Sequence, residues 1–328
     1  AVYTAAAADP SGPYKVEARW KIGGEGGWDY LTADAQAHLL YLAHGPRVEI
    51  VDTRSGKAVG SITGLQGTHG VALDDEGKYG YISDGRGNVV VVFDRHTFKT
   101  VASIPAGTNP DGIAYEPVTK TVWACNGRSS DATVIDTKTQ KVISTIKLPG
   151  KPEFPEADGK GTVFVNIETK NEIVRLDAKT LQVTATWPLT GCESPSGLAI
   201  DKVHRRLFSV CDGKAMAVTD ADSGKSLATP AIGDGPDAAA YDPTHRLAFS
   251  SNGDGTLTVV NTASDKFDVI QNLATAKGAR TMSFDSSNGR IYLVTAEFGP
   301  APAPTAQNQH PRPAVLPGSF TVLVVGRK

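Results

Sequence analysis

The 328-residue sequence contains only three cysteines, Cys125, Cys192 and Cys211, and no CxxC pair. That excludes a disulfide-dense scaffold and a thiolate zinc site, and leaves room for one bridge at most. No run approaches the roughly 18 consecutive apolar residues that a membrane-spanning helix requires. Lys and Arg (33) nearly balance Asp and Glu (35) and are scattered, so no basic block marks a nucleic-acid or anionic-membrane surface. GxGxxG opening a helix, Walker loop, HExxH and GxSxG elbow are all missing, so dinucleotide binding, helix-borne zinc proteolysis and serine-elbow hydrolysis have no signature. The chain starts at Ala1 rather than methionine, and the expectation is that a targeting segment has been removed.

What the sequence does have is glycine (34), proline (20) and a 40% hydrophobic content, a composition suited to many short strands joined by tight turns. It also repeats itself. "NPDGIAYEP" at 109–117 returns as "GPDAAAYDP" at 235–243. The turn phrases "VDTRSGK", "FDRHTFK", "IDTKTQK", "LDAKTLQ", "TDADSGK" and "VNTASDK" place Asp52, Asp94, Asp136, Asp177, Asp220 and Asn261 at spacings of 42, 42, 41, 43 and 41. Each lies between two β-rich runs, where an Asx side chain can accept backbone N–H bonds and close a hairpin. Two earlier runs per unit, such as "GVALD" and "YGYISD", bring the total to four strands in about 42 residues, the size of a propeller blade.

A seventh unit runs through "GARTMSFD" and "RIYLVT", then resumes as "SFTVLVVG" after a Pro-rich insertion at 299–318. It lacks a fourth strand, which "YKVEARWKI" at 14–22 can supply, closing the ring and covering a sheet edge. The sequence therefore predicts one all-β domain over 1–328, a seven-bladed propeller of four-stranded blades expected as a monomer. The shortened phrase at 150–161 predicts a blade four distorted near the axis. The insertion reads as a long loop, a length often used for binding elements.

In an up-and-down blade, the loops entering strand A and the loops between strands B and C emerge on one face. The residues just before the seven strand A cores are Asp29, His69, Asp111, Glu153, Ser196, Asp237 and Arg280. Asp111 and Asp237 are thus the same rung seen from blades three and six. Carboxylates converging on an axis repel one another, so the funnel wants a cation, with Arg280 as a partial counter-charge or an anion contact. Around the mouth the B–C loops would add His44, Asp84, Asn126, Asn166, Glu168, Cys211, Asn252 and Glu297. Residues at these rungs also serve to tie blades together. His96, His204 and His245 fall in turns of the opposite face and read as surface residues. Cys192 and Cys211 both fall on the funnel face of blade five, where a disulfide or two separate thiols would fit, and Cys125 reads as a buried thiol.

"NPDGIAYEP", "SPSGLAID", "IDTKTQKVISTI" and "IYLVT" resemble the YVTN-repeat propellers, including the YncE-like bacterial proteins, over essentially the whole chain. "SSNGDGTLTVV" and "TAEFGPAPAPTA" look like an exported subgroup of them. The resemblance implies a seven-bladed propeller exported to the periplasm or beyond, and it implies no reaction, since such folds host many activities. Two function classes follow from the ring. One is a binding protein that holds a divalent metal ion or a small polar ligand. The other is a metal-dependent hydrolase or lactonase using the same funnel. A third class, an interaction scaffold, including the single-stranded DNA binding that the resemblance suggests, ranks last, because an acidic mouth repels phosphate.

Overall fold

Alternating apolar and polar residues, interrupted by Asx-type turns, can do little but form short antiparallel hairpins, and the chain forms them throughout. The computed structural model describes residues 11–328 and arranges them as seven four-stranded antiparallel sheets in a ring. Blade one runs through strand A at Trp28–Asp34, B at Leu39–His44, C at Arg47–Asp52 and D at Lys57–Ile62. The next five A strands are Thr68–Leu73, Pro110–Glu116, Pro152–Ala157, Pro195–Asp201 and Pro236–Asp242. The repeating aspartates do what turn chemistry asks. Asp52, Asp94, Asp177 and Asp220 each accept N–H bonds from the residues two and three further on. Asp136 and Asn261 accept one from the residue two further on.

The core lies between blades rather than within them. Among the described residues the hydrophobic clusters straddle neighbouring blades, and one of them joins blades six and seven to Tyr30 of blade one. Tyr41 and Ile50 of blade one meet Ile82 and Phe93 of blade two, and Trp123 and Val134 of blade three meet Val163 and Val174 of blade four. B and C strands are therefore buried on both faces and read as continuous apolar runs, while D strands such as Lys57–Ile62 face solvent.

Blade four departs from expectation. Its strand A pairs Pro152 with Ile167 and Pro155 with Val165, and the register break between them recurs from Pro110 to Ile113 and from Pro195 to Leu198. The short phrase is absorbed in the loop, and the strand is no more irregular than its neighbours. Residues 299–318 are mostly exposed and tied at their root by a bridge between Phe298 and Val315, with Phe298 packed near Trp28 at 6.0 Å between ring centroids. Cys192 and Cys211 form a disulfide, with Cα atoms 5.4 Å apart, and Cys125 is a buried free thiol.

The ring closes through the two ends of the chain. Blade seven consists of Met282–Asp285, Arg290–Thr295, Thr321–Arg327 and, as outermost strand, Tyr14–Lys21. Tyr14 is fully buried, meets Phe249 of blade six edge-on at 5.3 Å, and exchanges two hydrogen bonds between its backbone and the Gln271 side chain. Because it clasps two blades, Tyr14→Ala should cost about 3 kcal/mol in denaturant-induced unfolding. A loss below about 1 kcal/mol would mean the clasp is not needed for closure.

Candidate metal centre at the axis

The ring residues are placed by a backbone device that repeats from blade to blade. Near the end of strand B a hydroxyl or amide reaches across and holds the carbonyl of the ring residue in the following blade. Ser83 donates to the Asp111 carbonyl, Asn166 to that of Ser196 at 3.0 Å, and Ser251 to that of Arg280 at 2.6 Å. Thr281, on strand A side of blade seven, holds the Asp29 carbonyl at 2.7 Å. A buried carbonyl without such a donor would cost desolvation energy, so the bonds fix both the spacing of the blades and the direction of each ring side chain.

The ring divides into three groups. Asp29, His69 and Asp111, from blades one to three, each present one ligand atom within 4.8 Å of the others. His69 Nδ1 lies 2.7 Å from Asp29 Oδ2 and 3.7 Å from Asp111 Oδ1, and all three side chains are partly exposed to the funnel. Gly85 of the adjoining B–C turn leaves space for the imidazole, since an added Cβ would collide with it. Glu153 falls in a second group, where Lys151 Nζ bridges it at 3.0 Å and Glu168 at 2.8 Å. Asp237 falls in a third, paired with Arg280 at 3.2 Å, while Arg280 also donates to the Trp28 carbonyl. Of the ring residues, Asp29, His69 and Asp111 come together as a group whose donor atoms could hold a metal ion.

Burial and mutual repulsion dominate the electrostatics. Burial, then the Asp29 charge, push the Asp111 carboxyl up to about 7 against the pull of His69 and Lys151. Burial and Asp29 likewise push Asp237 up to about 7 despite Arg280. For His69, burial works against the charged ring, but the hydrogen bond to Asp29 and the nearby Asp111 charge outweigh it and carry the imidazole up to about 9. Glu153 is pushed up to about 10 by burial, then by its hydrogen bond with Glu168 and the Asp111 charge. Glu168 moves the opposite way, held down by that same bond and by Lys151, so the two carboxyls titrate as a pair.

Solved structures share this architecture. The chain is similar to a chain of Kuenenia stuttgartiensis hydrazine synthase, with TM-score 0.73 and 16% identity over 83% of this chain and 93% of that one. It is also similar to U3-55K (TM-score 0.77, 10% identity, 97% and 99% covered) and to the RRP9 WD40 repeats (0.77, 10%, 98% and 99%). The chain is a seven-bladed β-propeller. At such identities the likeness is one of fold alone. No protein-family model and no curated protein matches the chain.

Most of the expected outer funnel is instead internal bracing. His44 is fully buried, stacked on Phe320 at 3.8 Å, and burial together with Arg47 lowers its pKa to about 4. Asp84 accepts the N–H groups of Gln66 and Gly67. Asn126 and Asn252 donate to hydroxyls and a carboxylate of their own blades, Asn166 ties blade four to blade five, and Cys211 is in the disulfide. These residues stand at or next to the end of strand B, where the chain turns, and their side chains brace the turn, the neighbouring blade or the disulfide. Glu297 alone is exposed. His204 and His245 bond Asp201 and Asp242 at the opposite end, where with His96 they are turn residues. The rung pattern does not select two further residues at the ring: Lys151, two residues before Glu153, and Asn109, whose side chain hydrogen-bonds His69 and whose backbone is left-handed directly before Pro110 (φ 59°).

A carboxyl whose folded pKa is raised contributes stability that is present below its unfolded value and lost as pH rises through the folded one. Asp111, raised from 3.8 to about 7, should therefore destabilise the metal-free protein increasingly across that window. The Tm advantage of Asp111→Asn over the unmodified chain, measured in chelator, is expected to grow between about pH 4.5 and about pH 7.5. A difference that stays flat would show that the carboxylate is compensated by groups other than a metal.

Proposed function

We propose that the chain is an exported propeller of the YVTN-repeat kind that binds one divalent cation, or a small polar ligand, at the acidic end of its axis. The observation that carries this reading is the convergence of Asp29, His69 and Asp111 within 4.8 Å at the partly exposed floor of the funnel. Two oxygen donors and one imidazole suit a divalent ion such as manganese, zinc, iron or calcium, and an ion there would offset the burial and the repulsion that raise Asp111 and Asp237. A metal would also displace the His69 proton. Residence in an oxidising compartment is supported by the Cys192–Cys211 disulfide and by the sequence resemblance. No helix among the described residues is long and apolar enough to cross a membrane.

A second reading, a metal-dependent hydrolase or lactonase, is favoured by one observation. Glu153 lies in the ring beside the Asp29, His69 and Asp111 group, and burial, its hydrogen bond with Glu168 and the Asp111 charge raise its pKa, so on this reading it would protonate a leaving group beside a cation-polarised carbonyl. On this reading Glu153→Gln lowers turnover of a lactone panel by roughly 100-fold with metal content unchanged. Turnover that survives chelation rules the reading out.

The binding reading is tested by elemental analysis of chain purified from an oxidising compartment without chelator or a polyhistidine tag. About one divalent ion per chain is expected, with affinity falling by more than about 100-fold in His69→Gln with Asp111→Asn, since even indirect support of a ligand is worth 10–100-fold. Absence of metal, together with no calorimetric response to added divalent ions, would return these residues to holding an organic ligand. The same preparation, denatured without reductant, should titrate one thiol, Cys125, and three after reduction. Three thiols before reduction would count against export.

A further inference from the structure

The axis is not one continuous funnel. Directly beneath the ring, Tyr30 of blade one and Phe154 of blade four reach across it and meet, with ring centroids 5.0 Å apart. The Tyr30 hydroxyl is 3.3 Å from the Asp237 carbonyl, which ties this floor to the ring. Beyond the floor a cavity of about 860 Å³ runs down the axis to the opposite face, lined by strand A of every blade and ending among the A–B turn residues Asp75, Pro117, Lys202, Val203 and Pro243. None of Asp29, His69, Asp111 or Asp237 lines it.

The walls are apolar, with Val71, Ile113, Leu198, Met282 and Phe284 among them. One charged side chain, Glu156, stands inside. It follows Phe154 by two residues on the same strand and so faces the axis with it. Among the described residues no hydrogen bond or ion pair engages its carboxylate, whereas the other two acids of the cavity are occupied. Asp75 accepts from the Tyr115 hydroxyl, and Asp201 accepts from Tyr241 and His204. Against these three acids stands a single base, Lys202, exposed at the rim.

Glu156 is partly open to the channel, so this lone acceptor among apolar walls has only water as a partner until a guest occupies the tube. Burial alone pushes Glu156 up to about 7 against the attraction of Lys202. Apolar length, aromatic rings at the inner end and a net acidic charge together describe a complementary guest. We propose that this lower channel is a second binding site, for a small apolar amine that enters from the A–B face and sets its nitrogen against Glu156. The proposal does not rest on the metal reading, because the two compartments share only the Tyr30–Phe154 floor. The guest's hydrocarbon part would replace water along the walls, and its ammonium would give Glu156 the ion pair it lacks.

The test is calorimetric titration of the full chain, in chelator, with a phenylalkylamine and with the alcohol and carboxylic acid of the same carbon skeleton. Saturable binding of one amine per chain is expected, tighter than the alcohol by roughly tenfold or more, with the acid weakest. Glu156→Gln should bring amine and alcohol to similar affinities while leaving the alcohol unchanged, and Ala239→Phe, which fills the channel, should abolish both. Asp111→Asn should leave amine binding intact. Amine binding that survives Ala239→Phe but falls in Asp111→Asn would place the amine in the upper funnel and overturn the proposal. So would equal affinity for the amine and the acid, or the absence of saturable binding in the unmodified chain.

Discussion

Everything in this molecule depends on how closely adjacent A strands approach at the axis. A single four-stranded blade has two apolar faces and cannot bury either alone, so each of the seven clusters needs the next blade to complete it. Near the axis the wedge narrows until side chains no longer fit between strands. Gly112 and Gly197 sit there, and a Cβ on either would collide with the backbone of the next blade, at Glu153 and at Asp237 respectively. The glycines of "PDG" and "PSG" are therefore packing residues, and their place in the repeat is set by the geometry of the ring.

That close approach creates the electrostatic problem at the upper end of the axis. Once strands are locked by Ser83, Asn166, Ser251 and Thr281 reaching to neighbouring carbonyls, the ring side chains have nowhere to go but inward. Repulsion is then met locally in three ways: an imidazole between Asp29 and Asp111, a lysine between Glu153 and Glu168, and a guanidinium on Asp237. The first is the group whose donor atoms lie within 4.8 Å of one another and could hold a cation. The other two set an acid against Lys151 or Arg280, so a ring of similar residues divides into separate clusters rather than a uniform acidic funnel.

The same convergence divides the axis. Small residues at most rungs below the ring leave a tube that the two large ones, Tyr30 and Phe154, cross and plug. An acidic, partly exposed compartment and an apolar, deeper one are thereby held on opposite sides of a single aromatic contact. Their chemistries are so different that each would select its own class of guest.

Periodicity alone determined the number of blades, their strand order and the rung on which Asp111 and Asp237 both stand, because a 42-residue repeat of turn aspartates admits few other folds. It also pointed to residues 14–22 as the closing strand, since an unpaired edge needed a partner, and Tyr14–Lys21 pairs there. The sequence could not separate residues that face the axis from residues that end strand B, and so His44, Asp84, Asn126, Asn166 and Asn252 read as funnel lining when they are braces. Nor could it say that Asp29, His69 and Asp111 meet while Glu153 and Asp237 pair elsewhere. Those outcomes depend on distances of an ångström or two between blades 40 or more residues apart. Only the closed ring, with every strand pressed on its neighbour, decides them.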